Sequence, residues 1–180
     1  MHSAPCDHVR GDLVAPAIDW LGQLVAERRR PLRSLDTLLV GSERSLLFDP
    51  PTSEHWVPVS AAARLIDAVV DVHGGRMPAV LRELGRRSVP RVAALDGAPD
   101  ERLAIRLDGL VRLGHWQRPA PLLPGDLLEL ETHRPCAPSL LAWISGLLAC
   151  ATPRGRRGAT QIAVRAESPR HFVFARCAAR

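Results

Sequence analysis

The chain has 180 residues, of which 46% are apolar, and its mean hydropathy is close to zero. This size and composition predict one domain with a substantial buried core and leave little room for a second independent domain. No stretch reaches the roughly 18 to 20 consecutive apolar residues that a membrane-spanning helix needs, and the polar, acidic N-terminus is unlike a signal peptide, so the sequence predicts a cytoplasmic protein.

The residue types that are missing exclude several kinds of chemistry. All 24 basic residues are arginine, and lysine and tyrosine are absent. Without lysine the chain can form neither a Schiff base nor a phosphate-binding P-loop, and without tyrosine it has no phenolic acid. The basic charge lies near the C-terminus, because residues 151–180 hold seven Arg and one Glu whereas residues 1–150 hold 17 Arg and 18 acids.

Metal-ligand residue types do not form a recognisable motif. The four cysteines show no CxxC spacing, which argues against a zinc ribbon or a thioredoxin-type centre. The first eight residues contain HxxxCxH spacing, but nothing nearby supplies a fourth ligand. The sequence therefore predicts no metal site.

The first half of the chain is predicted to be helical. We expect a flexible N-terminus over residues 1–11 and a single domain over residues 12–180. Apolar spacing predicts a helix that begins near Pro16 and a shorter one over Leu32 to Val40. The proline-rich stretch 49–60 predicts an extended connection.

Three further helices are predicted before the C-terminal third of the chain. Ser60 is expected to cap a helix over Ala61 to His73. Another helix begins near Pro78, and a third covers Arg102 to Leu113.

The last third of the chain mixes strands with one helix. A turn at Pro124-Gly125 introduces a strand over Leu127 to His133. Residues 139–151 carry the strongest helical pattern, and two alternating runs joined by Ser168-Pro169-Arg170 predict an antiparallel hairpin. The expected fold is α+β, with helices packed on one face of a small antiparallel sheet and a C-terminal β-hairpin.

With this order of elements, the stretches WVPVSAAARLIDAVVDVHGG, LRELGRRSV and LLAWISGLLACA resemble a family of uncharacterised bacterial proteins of about this length, frequent in myxobacteria. More remotely, the layout resembles a superfamily of ligand-binding domains that includes haem-nitric-oxide-binding domains, 4-vinyl-reductase-type domains and TRAPP vesicle-tethering subunits. The resemblance implies a domain with a cavity between its helices and its sheet, often paired as a homodimer, that senses or tethers.

The resemblance does not extend to haem binding. The haem-binding members carry a Tyr-x-Ser-x-Arg motif on a strand before a long apolar helix, and Leu130, Thr132 and Arg134 stand in those places here. The tyrosine is replaced, and the position of the proximal histidine falls on Val111 rather than His115, so the axial ligand is missing. No cofactor is therefore expected.

The residues predicted to bind a ligand are Leu130, Thr132, Arg134, His115 and Trp116. The first three share one face of the predicted strand, and a buried Arg134 would receive a carboxylate or phosphate at the mouth of the cavity. An exposed Arg134 would instead pair with a surface acid, and the site would be lost. His115 and Trp116 either line a pocket beside a proline-rich loop or anchor that loop on the core.

The leading hypothesis is a non-enzymatic ligand-binding or protein-interaction domain in bacterial regulation or signalling. It would form a homo-oligomer and bind a small apolar or acidic ligand or an acidic partner protein. The alternative is a nucleic-acid-binding accessory protein that neutralises phosphates with Arg154, Arg156, Arg157 and Arg165, although few aromatic side chains could stack on bases. A third hypothesis is an enzyme with a dispersed site, for which the sequence predicts no catalytic residues.

Overall fold

The computed structural model describes residues 7–27, 35, 37–73, 77–88, 100–120, 123, 125–151 and 161–177. The helices are α1 (Gly11–Ala26), α2 (Ser42–Ser45), α3 (Val59–Val72), α4 (Met77–Ser88), α5 (Asp100–Asp108) and α6 (Pro138–Ala151). The strands are β1 (His8–Arg10), β2 (Trp56–Pro58), β3 (Val111–Arg112), β4 (Gly114–Gln117), β5 (Asp126–Thr132), β6 (Ile162–Ser168) and β7 (His171–Arg176). The expected α+β class is confirmed.

The strands form two small antiparallel sheets instead of the one sheet that was expected. The first has three strands in the order β2-β1-β3, and the second has four in the order β4-β5-β7-β6. In the first sheet the fully buried Val9 lies between Val57 and Val111. The domain boundary expected between residues 11 and 12 therefore falls inside the ordered fold, because β1 is the central strand of a sheet.

Helix α1 begins five residues before the predicted start at Pro16. Asp12 lies in its first turn, where a carboxylate is favoured, and receives two hydrogen bonds from the Arg10 guanidinium at 2.8 and 2.5 Å. Gly11 permits the close approach of the loop before β2, because a Cβ atom at this position would lie 2.4 Å from the carbonyl oxygen of Thr52. Pro16 is thus inside the helix and leaves the carbonyl of Asp12 without its usual intrahelical donor.

The predicted helices differ in how well they match the structure. Helix α3 is confirmed, but Pro58 precedes its first residue and no side chain caps it, so Ser60 is not the cap. Of the helix predicted over Leu32 to Val40, residues 32–34 and 36 lie outside the described residues, and residues 37–40 form a turn and an irregular segment, so the helix does not reach Val40.

The helix predicted after α4 is too long at its C-terminal end. The helix predicted over Arg102 to Leu113 ends at Asp108, and the chain continues into β3 and then β4. Val111 in β3 lies opposite Val9 of β1, so pairing with a distant strand overrides the local helical pattern.

The four-stranded sheet has one apolar face and one polar face. Strand β5 and the β6–β7 hairpin confirm the predicted strands to within a few residues. Leu128, Leu130, Phe172 and Phe174 are buried in one continuous apolar core that also contains the inner sides of α1, α3, α4 and α6. The opposite face carries exposed or half-buried polar groups, as expected for an antiparallel sheet that is covered on one side.

Helices α4 and α6, both as predicted, pack backbone against backbone. A Cβ atom on Gly85 would lie 2.5 Å from the carbonyl carbon of Gly146, so glycine at this position allows the close approach. At the end of α4, the buried Ser88 hydroxyl donates to the carbonyl of Leu13 in α1 at 3.1 Å. These contacts fix the orientation of α4, so that Arg86 and Arg87 reach the surface beside α1. None of the described helices combines the length and the apolarity needed to cross a bilayer.

Candidate functional site: the pocket between α1 and α4

Three of the five predicted ligand-binding residues are part of the packed core. Leu130, Thr132 and Trp116 are each less than 5% exposed. The Trp116 indole N–H donates to the carbonyl of Val111 at 2.9 Å, and the Thr132 hydroxyl donates to the carbonyl of Arg170 at 3.2 Å. Their polar atoms therefore satisfy backbone groups and hold strands together.

The other two predicted residues face solvent. Arg134 lies beyond the end of β5 and is exposed, and His115 is exposed on the outer face of β4. The condition for an anion site at Arg134 was burial, and the structure does not meet it. The structure brings Trp116 and Leu130 together as a pair on neighbouring strands, with Thr132 two residues further along β5, whereas Arg134 and His115 lie outside this buried group.

The region between α3, α6 and β5, where a cavity was expected, is bordered by apolar residues of the core. Leu65 of α3, Ile144 of α6 and Leu130 of β5 are all fully buried and belong to the continuous core. A guest molecule there would therefore meet apolar side chains.

Of the four arginines in the nucleic-acid hypothesis, Arg165 lies in the described part of the chain. Arg154, Arg156 and Arg157 lie outside the described residues. Arg165 is exposed on β6 and lies 2.5 Å from a carboxylate oxygen of Glu167 and 3.6 Å from one of Asp126. Its charge is therefore matched by acids of the same sheet.

A row of His and Glu residues crosses the outer face of the four-stranded sheet. His115 lies opposite Glu131, which lies opposite His171, and His171 forms an ion pair with Glu129. Across the described ranges, His, Cys, Asp and Glu side chains form no group of three or more that could hold a metal ion.

A pocket between α1 and α4 brings together charged side chains that the sequence reading did not combine. Its volume is about 290 Å³, and Pro16, Asp19, Gln23, Arg86 and Arg87 line it. The α1 residues follow a spacing of three and four, which places them on the same side of the helix. One wall therefore carries a carboxylate and an amide, and the other carries two guanidinium groups.

Glu83 positions both arginines from one turn earlier on α4. Its carboxylate accepts hydrogen bonds from Nε and Nη2 of Arg86 at 2.7 and 2.8 Å and from Nε of Arg87 at 2.9 Å. The hydrogen bonds from Arg86 are the main reason that the pKa of Glu83 is lowered to about 2, with Arg87 acting in the same direction. The carboxylate therefore stays charged at neutral pH and holds both guanidinium groups.

An aromatic stack supports Arg87 from the side of α1. Its guanidinium carbon lies 4.4 Å from the centre of the Trp20 ring, a cation–π contact. The His73 ring, at the end of α3, lies 4.5 Å from the same ring, centre to centre, with the planes tilted by 52°. His73 Nε2 is buried and has no hydrogen-bond partner within the described part of the chain.

His73 is held in its neutral form by its surroundings. Burial lowers its pKa from 6.5, and the positive charge of Arg87 lowers it further. The stack therefore contains Arg87, which is always charged, and His73, whose charge depends on the pH and on neighbouring charges.

The arrangement can bind an anion, since guanidinium groups match the oxygen geometry of carboxylates and phosphates. The spacing of Glu83, Arg86 and Arg87 at i, i+3 and i+4 is a signal that sequence reasoning could have used. It was missed because the basic charge of the sequence was located near the C-terminus, whereas these residues lie within α4. No protein-family model, curated protein or solved structure matches the chain.

Proposed function

We propose that the protein is a non-enzymatic ligand-binding domain that holds a small acidic ligand in the pocket between α1 and α4. The observation that carries this proposal is the pair of arginines fixed by a single carboxylate at the pocket wall. The remote resemblance of the layout to a superfamily of ligand-binding domains, expected from the sequence, is the basis for proposing a role in bacterial regulation or signalling in the cytoplasm.

The hydrogen-bond geometry indicates how a ligand would bind. Glu83 engages Nε and Nη2 of Arg86 and only Nε of Arg87, so the remaining N–H groups are not used by this carboxylate. Because Glu83 contacts both arginines and the Trp20 ring also contacts Arg87, part of the rotational entropy of these side chains is lost before an oxyanion binds.

The opposite wall and the volume limit the kind of ligand. Asp19 and Gln23 place a carboxylate and an amide across from the arginines, so a ligand with a hydroxyl or amino group beside its acid fits both walls. About 290 Å³ is at the lower end of ligand-site volumes, which favours a small metabolite over a nucleotide.

The test is a titration of the protein with inorganic phosphate and, separately, with succinate at pH 7.5, followed by NMR of the Trp20 side-chain N–H. We expect saturable shifts with at least one probe, and the comparison distinguishes phosphate from carboxylate recognition. The double variant Arg86→Gln/Arg87→Gln should weaken binding by about tenfold or more, because charge-assisted hydrogen bonds are lost.

The matched control is Arg165→Gln, which removes an arginine on β6 whose side-chain exposure of 49% lies between the 65% of Arg86 and the 36% of Arg87. Binding that Arg165→Gln weakens as much as the double variant does would refute the α1–α4 site. The absence of saturation with both probes would refute it as well.

Self-association is a second part of the proposal and follows from the resemblance to dimeric domains. Size-exclusion chromatography with light scattering tests it. A monomer at the highest accessible concentration would remove this part and leave the pocket proposal intact.

A further inference from the structure

The stack of His73, Trp20 and Arg87 connects the pocket with a titratable group. This inference rests on the proposed anion site and concerns its regulation. We propose that an oxyanion on Arg86 and Arg87 and a proton on His73 bind cooperatively, so that the ligand is taken up together with a proton.

Geometry places His73 within the electrostatic reach of the ligand. Arg87 lines the pocket and also covers the Trp20 ring, against which the His73 ring packs. The pocket and the histidine therefore share one guanidinium group. An anion on Arg87 partly neutralises the charge that opposes protonation of His73.

One ring nitrogen of His73 is relevant to proton uptake. Its Nε2 is buried and has no hydrogen-bond partner in the part of the chain that the structure describes. A buried ring nitrogen without a partner is uncommon in native proteins and calls for an explanation. The positive charge that protonation of this ring would create is compensated when an anion lies on Arg87.

In the part of the chain that the structure describes, the groups that contact His73 or act on its charge lie on α1 and α4. Helix α4 contributes Arg87 together with Glu83, and α1 contributes Trp20 with Asp19 next to it in the chain. Helix α6 has no Asp, Glu, His or Arg, and Asp71 is the nearest ionisable residue in the sequence of α3. At this position Arg87 is the charge that lowers the pKa of His73, after the effect of burial.

Linkage makes the effect reciprocal. If the anion favours the protonated histidine by a given factor, the proton favours anion binding by the same factor. The ligand therefore binds more tightly as the pH falls through the titration range of His73.

The experiment uses sulfate, an oxyanion that does not itself titrate near neutrality, at low ionic strength. NMR of the His73 ring proton gives its titration midpoint with and without saturating sulfate. We expect the midpoint to rise by about 0.5 to 1 pH unit, and sulfate affinity to rise by the corresponding factor of about three to ten between a pH above and a pH below the two measured midpoints.

Two variants separate this effect from general protonation of the surface. His73→Gln should remove most of the pH dependence of sulfate affinity, whereas His115→Gln, which changes an exposed histidine on β4, should retain it. The histidine titration of the unmodified protein needs no variant, so the test remains decisive if His73→Gln fails to fold.

The possible results distinguish the two proposals. Sulfate that binds through Arg86 and Arg87 without moving the His73 midpoint would overturn the proton coupling and leave the anion site standing. Sulfate that binds at no pH would overturn the proton coupling of sulfate and, together with a lack of saturation by phosphate and succinate, the anion site as well. Sulfate that binds equally well to the Arg86→Gln/Arg87→Gln variant would overturn both.

Discussion

Charged residues in this protein differ in the number of hydrogen bonds that neighbouring side chains form with them. Glu83 is 30% exposed, yet it receives hydrogen bonds from two arginines and keeps both beside the pocket. Arg134 is exposed and lies beyond the end of its strand. A charge that is held by neighbours on a helix can be placed for binding, whereas one that extends into water is screened and mobile.

Acid should destabilise the protein in two separate pH ranges. The pKa of His73 in the folded protein is below 6.5, so the unfolded chain takes up the proton first and stability is lost as the pH falls below about 6.5. For Glu83 the folded pKa is about 2 against 4.5 for the unfolded chain, so its contribution is complete above pH 4.5 and is lost on further acidification.

Urea unfolding as a function of pH measures both effects. Relative to the unmodified protein, His73→Gln should flatten the decline between pH 7 and 5, and Glu83→Gln should flatten the decline below pH 4.5. Parallel curves for the protein and its His73→Gln variant between pH 7 and 5 would contradict the first expectation.

Substitutions of the buried Thr132 in β5 and of the exposed Arg134 beyond its end should differ in their effect on the free energy of unfolding. Thr132→Val loses a hydroxyl hydrogen bond to the carbonyl of Arg170, but that carbonyl also accepts the Thr132 backbone N–H at 2.7 Å, so the cost should be only about 1 kcal/mol. Arg134→Ala should change the free energy of unfolding by less than about 0.5 kcal/mol. Chemical denaturation checks both, and a larger loss for Arg134→Ala would show that this side chain has a structural partner.

At the scale of elements, the contact between α4 and α6 decides where the arginines of the pocket lie. Gly85 packs against the backbone of Gly146, and the next two residues are Arg86 and Arg87. Any displacement of α4 from α6 at Gly85 would therefore move the pocket wall.

Gly85→Ala should destabilise the protein by about 2 kcal/mol or more, because its Cβ atom would lie 2.5 Å from a backbone carbon and one helix must move. The matched control is Gly22→Ala in α1, where a Cβ atom meets nothing within 4 Å. In an exposed helical position that change should stabilise by up to about 1 kcal/mol. Thermal or urea unfolding tests the pair, and equal effects of the two substitutions would refute the close-packing argument.

At the scale of the whole molecule, distant parts of the chain are tied together by the N-terminal strand. Strand β1 is the shared partner of β2 and β3, which lie more than 50 residues apart in sequence. Asp7, just before β1, also forms an ion pair with His133 at 3.1 Å, which links this segment to the end of β5. The first sheet thus depends on residues that composition alone would assign to a free terminus.

Deletion of residues 1–10 should therefore lower stability by several kcal/mol, since it removes the buried Val9 and both ladders of the first sheet. Circular dichroism during urea unfolding measures the change. Val9→Ala is the milder companion variant and should cost about 2 kcal/mol from the lost side chain alone. An unchanged midpoint for the truncated chain would contradict the central role of β1.

Sequence reasoning succeeded where the stabilising pattern is local. The apolar stripes of α3, α4 and α6 and the alternation of β5, β6 and β7 are contained within each segment, so each could be recognised without its neighbours. It failed for β1, β3 and β4, which are two to four residues long. Strands this short carry almost no periodicity, and they exist because distant strands offer hydrogen-bonding partners.

The sequence by itself determined the α+β class, the main helices, the terminal hairpin and the missing chemistry of lysine and tyrosine, because these follow from residue types and short-range periodicity. Tertiary structure alone decided that Arg134 faces water and that Arg86 and Arg87 meet Asp19 and Gln23 in a pocket. The two walls of that pocket are more than 60 residues apart in the chain, and the packing of α4 against α1 and α6, which brings them together, depends on contacts that no local pattern records.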